Sequence, residues 1–352
     1  MPNPTLTRAI DALASGRDLE TEETAGVLAE IMHGEVSAIQ IAAFLIALRT
    51  KGETVAELAG LARTMRELAA HVLSDRQDLV DTAGTGGGRS TFNVSTTAAL
   101  IAAGAGCAVA KHGNRSATSR SGSADLLEAL GARIDLGPEA VGLCIEQSGF
   151  GFMFAPAHHQ ATRFVVPVRR ELAVRTIFNL LGPLTNPAGA RRQLIGVSEA
   201  AFLETMAGAL AQLGVDRALL VSSEDGLDEI SSGAPTRVVE VNDRELRSYV
   251  IEPGEVGVQP DGGERLAGGT PEENARLARA IITGERPAGR PPAGEALAAI
   301  NAGAAIYAAG AVATIAEGVE AAREAIADGR AAAALEGFLT ATRTHAPLQA
   351  AR

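Results

Sequence analysis

Two stretches of the chain carry its densest chemistry. Asp81 to Thr97 reads DTAGTGGGRSTFNVSTT, an approach along a strand edge, four glycines within Gly84 to Gly88, then hydroxyl and amide residues leading into an apolar helix predicted over Ala98 to Ala105. Glycine lets backbone N–H groups close on an anion, and a helix N-terminus behind the loop adds orphan donors and a positive dipole. That is phosphate-binding chemistry. The spacing fits neither GxxxxGK[ST] nor GxGxxG, so nucleoside triphosphate and dinucleotide readings lose their usual support. A bare glycine run can be no more than a tight turn, but Thr91, Asn93, Ser95, Thr96 and Thr97 have no apolar job here.

The second stretch, Lys111 to Ser123, reads KHGNRSATSRSGS between a predicted strand and a predicted helix. Lys111, Arg115 and Arg120 bring charge, while Ser116, Thr118, Ser119, Ser121 and Ser123 bring donors suited to phosphate oxygens. A basic loop is often only solvated; a position at a strand's end, where open α/β sheets bind ligands, argues for a second anion cradle. Asp228 and Glu229, in GLDEIS, are adjacent acids after another predicted strand, an arrangement that fits either a solvated surface or oxygen ligation of a hard cation. Glu224 and Asp225 fit the surface reading better. His158 and His159 lack zinc-ligand spacing, and neighbouring side chains on a strand point apart.

These loops need a scaffold. From Thr5 to His71 the apolar positions, such as Val27, Ile31, Ile39, Ala42, Leu45 and Leu48, recur at helical spacing, and about four helices are expected there. Ser37 with Gln40 and Thr54 with Glu57 read as capping boxes. After Leu79 short β-prone segments alternate with helical ones: Cys107 to Ala110, Arg133 to Leu136, Gly151 to Phe154, Gln193 to Val197, Ala218 to Val221 and Arg237 to Val241. That alternation predicts an α/β layer around a central, mostly parallel sheet. Helices should start at Gly137-Pro138-Glu139 and Thr270-Pro271, where proline and acids suit the first turn. Asp243 to Gly269 and Gly284 to Gly294 read as surface connections, and two helical stretches should close the chain. The domain division expected is 1–72, helical and completed by a segment near 165–185, followed by 73–352 as the α/β part.

Composition narrows the function. The 352 residues, 46% hydrophobic, suffice for a large core, and a net charge of −11 argues against nucleic acid as the main partner. Cys107 and Cys144 lie in apolar runs and read as buried thiols of a cytoplasmic protein. The N-terminus lacks the basic start and apolar stretch of a signal peptide. Ala296 to Ile315 is uncharged and long enough for a membrane span, but its Ala and Gly content and Asn301 indicate a helix buried in protein.

The ordered motifs GTGG, TFNVST, KHGNRS and SGSADLLEALG, continued by FAPAHH, PVRRELAVRTIFNLLGPLTNPA and GLDEIS, resemble the anthranilate phosphoribosyltransferase family from about Thr21 to Gly318. The resemblance implies the nucleoside-phosphorylase-like phosphoribosyltransferase fold, a homodimer, and transfer of phosphoribose from phosphoribosyl pyrophosphate (PRPP) to the amine of anthranilate with magnesium. By similarity, Gly84, Gly87, Gly88, Thr91, Asn93, Val94, Ser95 and Thr96 would bind PRPP, together with Lys111, His112, Gly113, Asn114, Arg115, Ser116, Ala117, Thr118, Ser119 and Ser123. Ser95, Asp228 and Glu229 would hold magnesium. Gly84, Asn114 and Arg169 would meet anthranilate, the planar guanidinium suiting its carboxylate, and His158 and His159 would line its channel. No protein nucleophile is implied. One departure stands out: GTGG is followed by Gly88, Arg89 and Ser90 before TFN, where the family commonly has an acid and three more residues. Two rivals share the fold: a pyrimidine-nucleoside phosphorylase, against which KHGNRS and NLLGPLTNP speak, and a non-catalytic nucleic-acid-binding relative, against which the acidic charge speaks.

Overall fold

A computed structural model describes residues 1–116, 119–259 and 266–346. The chain begins with four helices, α1 (Pro4–Ala14), α2 (Thr21–His33), α3 (Ala38–Lys51) and α4 (Val55–Glu67). Asn3 caps α1 through its side-chain oxygen, and Leu6, Ala9 and Leu13 bury one stripe of it. Thr54 and Glu57 form the complete capping box at α4. Ser37 makes only half of one: its hydroxyl accepts from the Gln40 N–H, but the Gln40 amide exchanges bonds of 2.9 and 3.0 Å with the Asn3 backbone. That contact ties α3 to α1 instead.

The α/β region runs β1 (Val80–Gly84), α5 (Val94–Gly104), β2 (Val109–Gly113), α6 (Ser123–Leu130), α7 (Pro138–Ser148) and β3 (Phe150–Phe154). Three short helices follow, α8 (Ala155–His158), α9 (Val166–Leu172) and α10 (Phe178–Leu181). Then come β4 (Arg192–Gly196), α11 (Leu203–Gln212), β5 (Arg217–Ser223), β6 (Thr236–Asn242) and β7 (Glu245–Ile251). The chain closes with α12 (Pro271–Ile282), α13 (Glu295–Ala308), α14 (Ile315–Ala327) and α15 (Arg330–His345).

All seven strands form one sheet in the order β3-β2-β1-β4-β5-β6-β7. The first five are parallel, and β6 and β7 add an antiparallel edge. Chain order reverses between β1 and β4, whose C-terminal residues Gly84 and Gly196 stand opposite each other. In open α/β sheets such a reversal opens the crevice where ligands bind. Side chains alternate between the faces: Leu194, Leu219, Val221 and Val238 join the core around α5, α13 and α15, while Ile195, Leu220 and Val239 join the one around α2, α3, α4 and α11. Val165, Val168, Ile177, Phe178 and Leu184 share that second core.

Several expectations need correction. The strand expected at Cys107 to Ala110 begins two residues later. Arg133 to Leu136 is no strand: the Arg133 N–H goes to Thr342 Oγ1 of α15, while Ile134 and Leu136 are buried in the α5 core. The surface connection expected from Asp243 contains β7, because Asp243 and Arg244, both at positive φ, turn the chain back onto β6. Three helices close the chain where two were expected. The helix expected from Ala98 starts at Val94, which brings Ser95, Thr96 and Thr97 into its first turn.

Nearly all of α13 is buried within the protein, and among the described residues no helix is long and apolar enough to cross a membrane. Cys107 and Cys144 are free and buried, and burial pushes both thiols up to about 11.

Candidate active site

The glycine loop leaves β1 at the point where chain order reverses. The acidic segment packs so close that glycine is needed at two points: a Cβ on Gly88 would stand 2.5 Å from Asp228 Oδ1, and one on Gly196 at the end of β4 1.7 Å from the Asp228 carbonyl oxygen, while one on Gly84 would only reach van der Waals distance of Asp228 Oδ2 (3.5 Å). The loop and the adjacent acids, remote in sequence, therefore form one structure. Thr85 N donates to Gly196 O (2.8 Å), and Arg89 N donates to Gly226 O (2.7 Å) while its guanidinium pairs with Asp225 (3.2 Å). Arg89 thus staples the loop to the 225–229 segment. Asp225 is more than a surface acid, since it also accepts from Ser223 and Ser231 hydroxyls at 2.7 and 3.0 Å.

Behind the loop, the first turn of α5 meets the acids. The Ser95 amide faces the Glu229 carboxylate and pulls its pKa down, but burial first and the Asp228 charge second push it up to about 8. Asp228 is also raised, by burial, against the pull of the Gly86 amide and Arg175. Two recessed carboxylates with raised pKa and a nearby hydroxyl suit a hard divalent cation, which would favour their charged forms. Lys111 lies beneath, fully buried, donating to the Thr82 carbonyl, to Thr82 Oγ1 (3.2 Å) and to Ser95 Oγ (3.4 Å). Burial lowers its pKa, against the pull of Asp81 and Glu229. Asp81, pushed by burial up to about 6, accepts from the His112 N–H (3.0 Å) and from Asn186 Nδ2 (2.8 Å).

The second cradle lies beside the first. Asn93 joins them: its oxygen accepts from Ser121 Oγ (3.0 Å) and Asn274 Nδ2 (2.9 Å), and its nitrogen donates to Ser121 O (3.0 Å). Asn93 is a brace between the two cradles, and Asn274 of α12 belongs to it. Thr91 approaches Gly268 through its backbone, Val94 is buried, and Thr96 is fully buried with its hydroxyl unpartnered. Gly113 leaves room for Phe152 and Ser123. Asn114 is exposed and accepts from the Arg115 N–H (2.7 Å); Ser116 and Ser119 hydroxyls bond at 2.6 Å. Ala117 and Thr118 lie outside the described residues. The cationic count of this loop needs revision: Lys111 points inward, Arg115 pairs with Asp125 (2.8 Å) and Glu128 (2.5 Å), and Arg120 alone stays exposed without an ion pair among the described residues.

Beyond Asn114 lies a histidine group. His112 Nδ1 faces Gly182 O and His158 Nδ1 faces Ala70 O, each at 3.1 Å; a carbonyl only accepts, so both Nδ1 atoms carry the proton. The His159 ring lies against that of His112, centroids 5.0 Å apart. All three Nε2 atoms are buried without partners among the described residues. Burial first pushes His112 down to about 3 and His159 to about 4, so both are neutral near pH 7. Arg169, on α9, lies over the Phe178 ring (5.4 Å) with its pKa lowered by burial and no ion pair among the described residues, a guanidinium free for an incoming carboxylate.

Sequence reasoning missed Asp81, Asn186, Asn274 and Arg175 as parts of the site. Asp81, Arg175 and Asn186 lie inside quoted motifs, but only the fold shows that Asp81 is buried beneath Lys111 with Asn186 bonded to it, and that Arg175 reaches the glycine loop.

Residues 7–69 match the model of the glycosyl transferase family helical bundle domain, and residues 76–332 match that of its a/b domain. The chain is 50% identical to anthranilate phosphoribosyltransferase of Symbiobacterium thermophilum, over 92% of this chain and 94% of the other. It is also 50% identical to that of Rubrobacter xylanophilus, over 96% and 98%. The crystal structure of anthranilate phosphoribosyltransferase from Thermus thermophilus superimposes with a TM-score of 0.89 at 48% identity, covering 95% of this chain and 99% of the other. That from Saccharomyces cerevisiae, in complex with PRPP and Mg, gives 0.87 at 26% identity, covering 97% and 98%.

Proposed function

Because this chain belongs to the anthranilate phosphoribosyltransferase family, we infer that it transfers the phosphoribosyl group of PRPP to the amine of anthranilate, releasing pyrophosphate, the second step of tryptophan synthesis from chorismate. The observation that carries the reading is the glycine loop lying on Asp228 where chain order reverses, so that diphosphate donors and metal ligands face one place.

Asp228, Glu229 and Ser95 would hold magnesium, which would neutralise charge on the departing diphosphate. The loop amides and the mouth of α5 supply fixed donors at the same place, and their preorganisation lowers the barrier. Asn114 and Gly84 would meet the acceptor where it joins the sugar. Arg169 would take the carboxylate of the aromatic acid, and neutral His112 and His159 would flank its ring. The arylamine already carries a lone pair, and neither neutral histidine is basic enough to act as a strong base; positioning supplies the rest. No covalent intermediate with the protein is required.

The helical lobe consists, in this reading, of residues 1–72 with 165–185, and the cleft lies between it and the α/β lobe. Ile39, 82% exposed on α3, and Ile46, two turns on along the same face, leave apolar surface uncovered, which supports a homodimer through the helical lobe. Sedimentation of the wild type and Ile39→Glu checks that contact, a monomeric wild type refuting it. A cytoplasmic location fits two free buried thiols.

The decisive assay is loss of anthranilate fluorescence when PRPP and magnesium are added to the purified chain. Consumption of thymidine with inorganic phosphate, and no anthranilate turnover, would overturn the assignment in favour of a nucleoside phosphorylase.

A further inference from the structure

The connection from α9 to α10 turns at Ala173, whose φ of +51° is unusual for alanine, and delivers Arg175 onto the glycine loop. Arg175 Nη2 donates to Gly86 O (3.2 Å) and to Ser198 Oγ (3.0 Å), and Nη1 pairs with Glu199 (2.9 Å). The same Gly86 amide lies near enough to the Asp228 carboxylate to lower its pKa against burial, and a Cβ on the next-but-one residue, Gly88, would stand 2.5 Å from Asp228 Oδ1. At the other end, the Arg175 carbonyl accepts from Arg49 Nη1 of α3 at 2.8 Å. Gly87, at φ +90°, makes the approach possible, because a Cβ there would stand 3.1 Å from Nη1. One guanidinium thus serves three acceptors, which its planar fork allows and a lysine ammonium on a flexible stem does not reproduce.

We propose that Arg175 is a positioning residue for the diphosphate loop: it fixes Gly86 beside Asp228 and, held in turn by Arg49, ties that loop to the helical lobe. The inference rests on the reading of Gly84 to Thr96 as the diphosphate site. Four glycines leave this loop with high backbone entropy, which a ligand would otherwise have to overcome on binding. The fork removes part of that freedom beforehand. Arg89 holds the far side of the loop to Asp225, so the loop is pinned at both flanks and only its amides face the ligand.

The rival role for an Arg here is a direct diphosphate ligand that leaves Glu199 when substrate arrives, and the two roles predict opposite results. PRPP binding is measured by calorimetry on the full chain with magnesium and without anthranilate, for wild type, R175Q, R175K and E199Q. Positioning predicts binding weakened about tenfold in both R175Q and R175K, as expected for lost charge-assisted hydrogen bonds, and a few-fold in E199Q. It also predicts faster trypsin cleavage after Arg89 in ligand-free R175Q, with an unchanged thermal transition. Near-wild-type binding by R175K, or tighter binding by E199Q, would overturn it in favour of a direct ligand. Equal binding by R175Q and wild type refutes both roles, whereas a wild type that binds no PRPP refutes the diphosphate reading itself.

Discussion

Gly196→Ala tests whether the contact between the sheet edge and the acids governs activity. Gly196 ends β4, opposite Gly84, and an added Cβ would meet the Asp228 carbonyl oxygen at 1.7 Å, where real Cβ contacts essentially never fall below 3.0 Å. The Asp228 backbone must therefore retreat by the difference, 3.0 − 1.7, about 1.3 Å. It cannot move as a free loop: Ile230, two residues on, exchanges bonds of 2.9 and 2.8 Å with the buried Asn301 side chain. The strain has to appear at Asp228 and Glu229. A displacement of about 1 Å at a reacting centre can cost about 10²-fold in rate, so we expect kcat to fall by about that factor and the magnesium titration to shift upward. Overpacking of this kind also costs about 1–3 kcal/mol of stability, so a thermal melt must accompany the kinetics. Gly26→Ala is the control: Gly26 is exposed on α2 with nothing within 4 Å of an added Cβ, and the change should stabilise that helix by about 0.5–1 kcal/mol without touching turnover. If Gly196→Ala turns over within threefold of wild type at the same magnesium midpoint, the coupling between glycine and metal ligands is wrong.

Arg169→Ala should raise KM for the aromatic acid about 10- to 100-fold and leave KM for PRPP within about twofold, since a charged hydrogen-bonded pair would be lost on one substrate only; equal effects on both would point to a role in folding. The buried histidines make a pH prediction. His112 and His159 are depressed to about 3 and about 4, so the unfolded chain binds their protons more readily than the folded one. Stability is then fully present above about pH 6.5 and lost as pH falls, by about 2 kcal/mol per histidine at pH 5. Asp81, raised to about 6, acts in the opposite sense over part of that window, so the test is a difference: the drop in unfolding free energy between pH 7.5 and pH 5 should be about 2 kcal/mol smaller in His159→Asn than in wild type. An identical drop in chemical denaturation would show that His159 is not held neutral.

The two candidate phosphate loops could be picked out of the sequence, and found beside each other in the fold, because glycine and hydroxyl residues cluster locally in them. The helical N-terminal region was legible for a similar reason, since its apolar spacing and the Thr54–Glu57 cap are local signals. β7 was not, because Leu246, Arg247, Ser248 and Val250 lie on an exposed edge and show no apolar alternation. Arg133 to Leu136 failed in the opposite way: Ile134 and Leu136 alternate as a strand would, but their partners are helices. Arg115 was legible as a cation and not as a paired one, for Asp125 and Glu128 come to it only when α6 starts. The Asp81–Asn186 bond joins residues 105 apart in the chain, and nothing in the sequence marks them as neighbours.

The charge arrangement also explains how an acidic chain can take an acidic substrate. Of the cations in the second cradle, Lys111 is turned toward Thr82 and Ser95, Arg115 is neutralised by two carboxylates, and only Arg120 is left without an ion pair among the described residues. The glycine loop meanwhile faces Asp228 and Glu229, whose raised pKa values show how poorly the protein alone supports their charge. A bare diphosphate would meet two carboxylates and few free cations, so attraction by side chains cannot be what holds it. Its magnesium complex would reverse the balance, since the acids would serve as ligands while the backbone amides and hydroxyls would hold the phosphate oxygens. On the proposed assignment the site would select the metal complex over the free anion, and the same neutralisation that admits the substrate would be in place when the leaving group takes up negative charge.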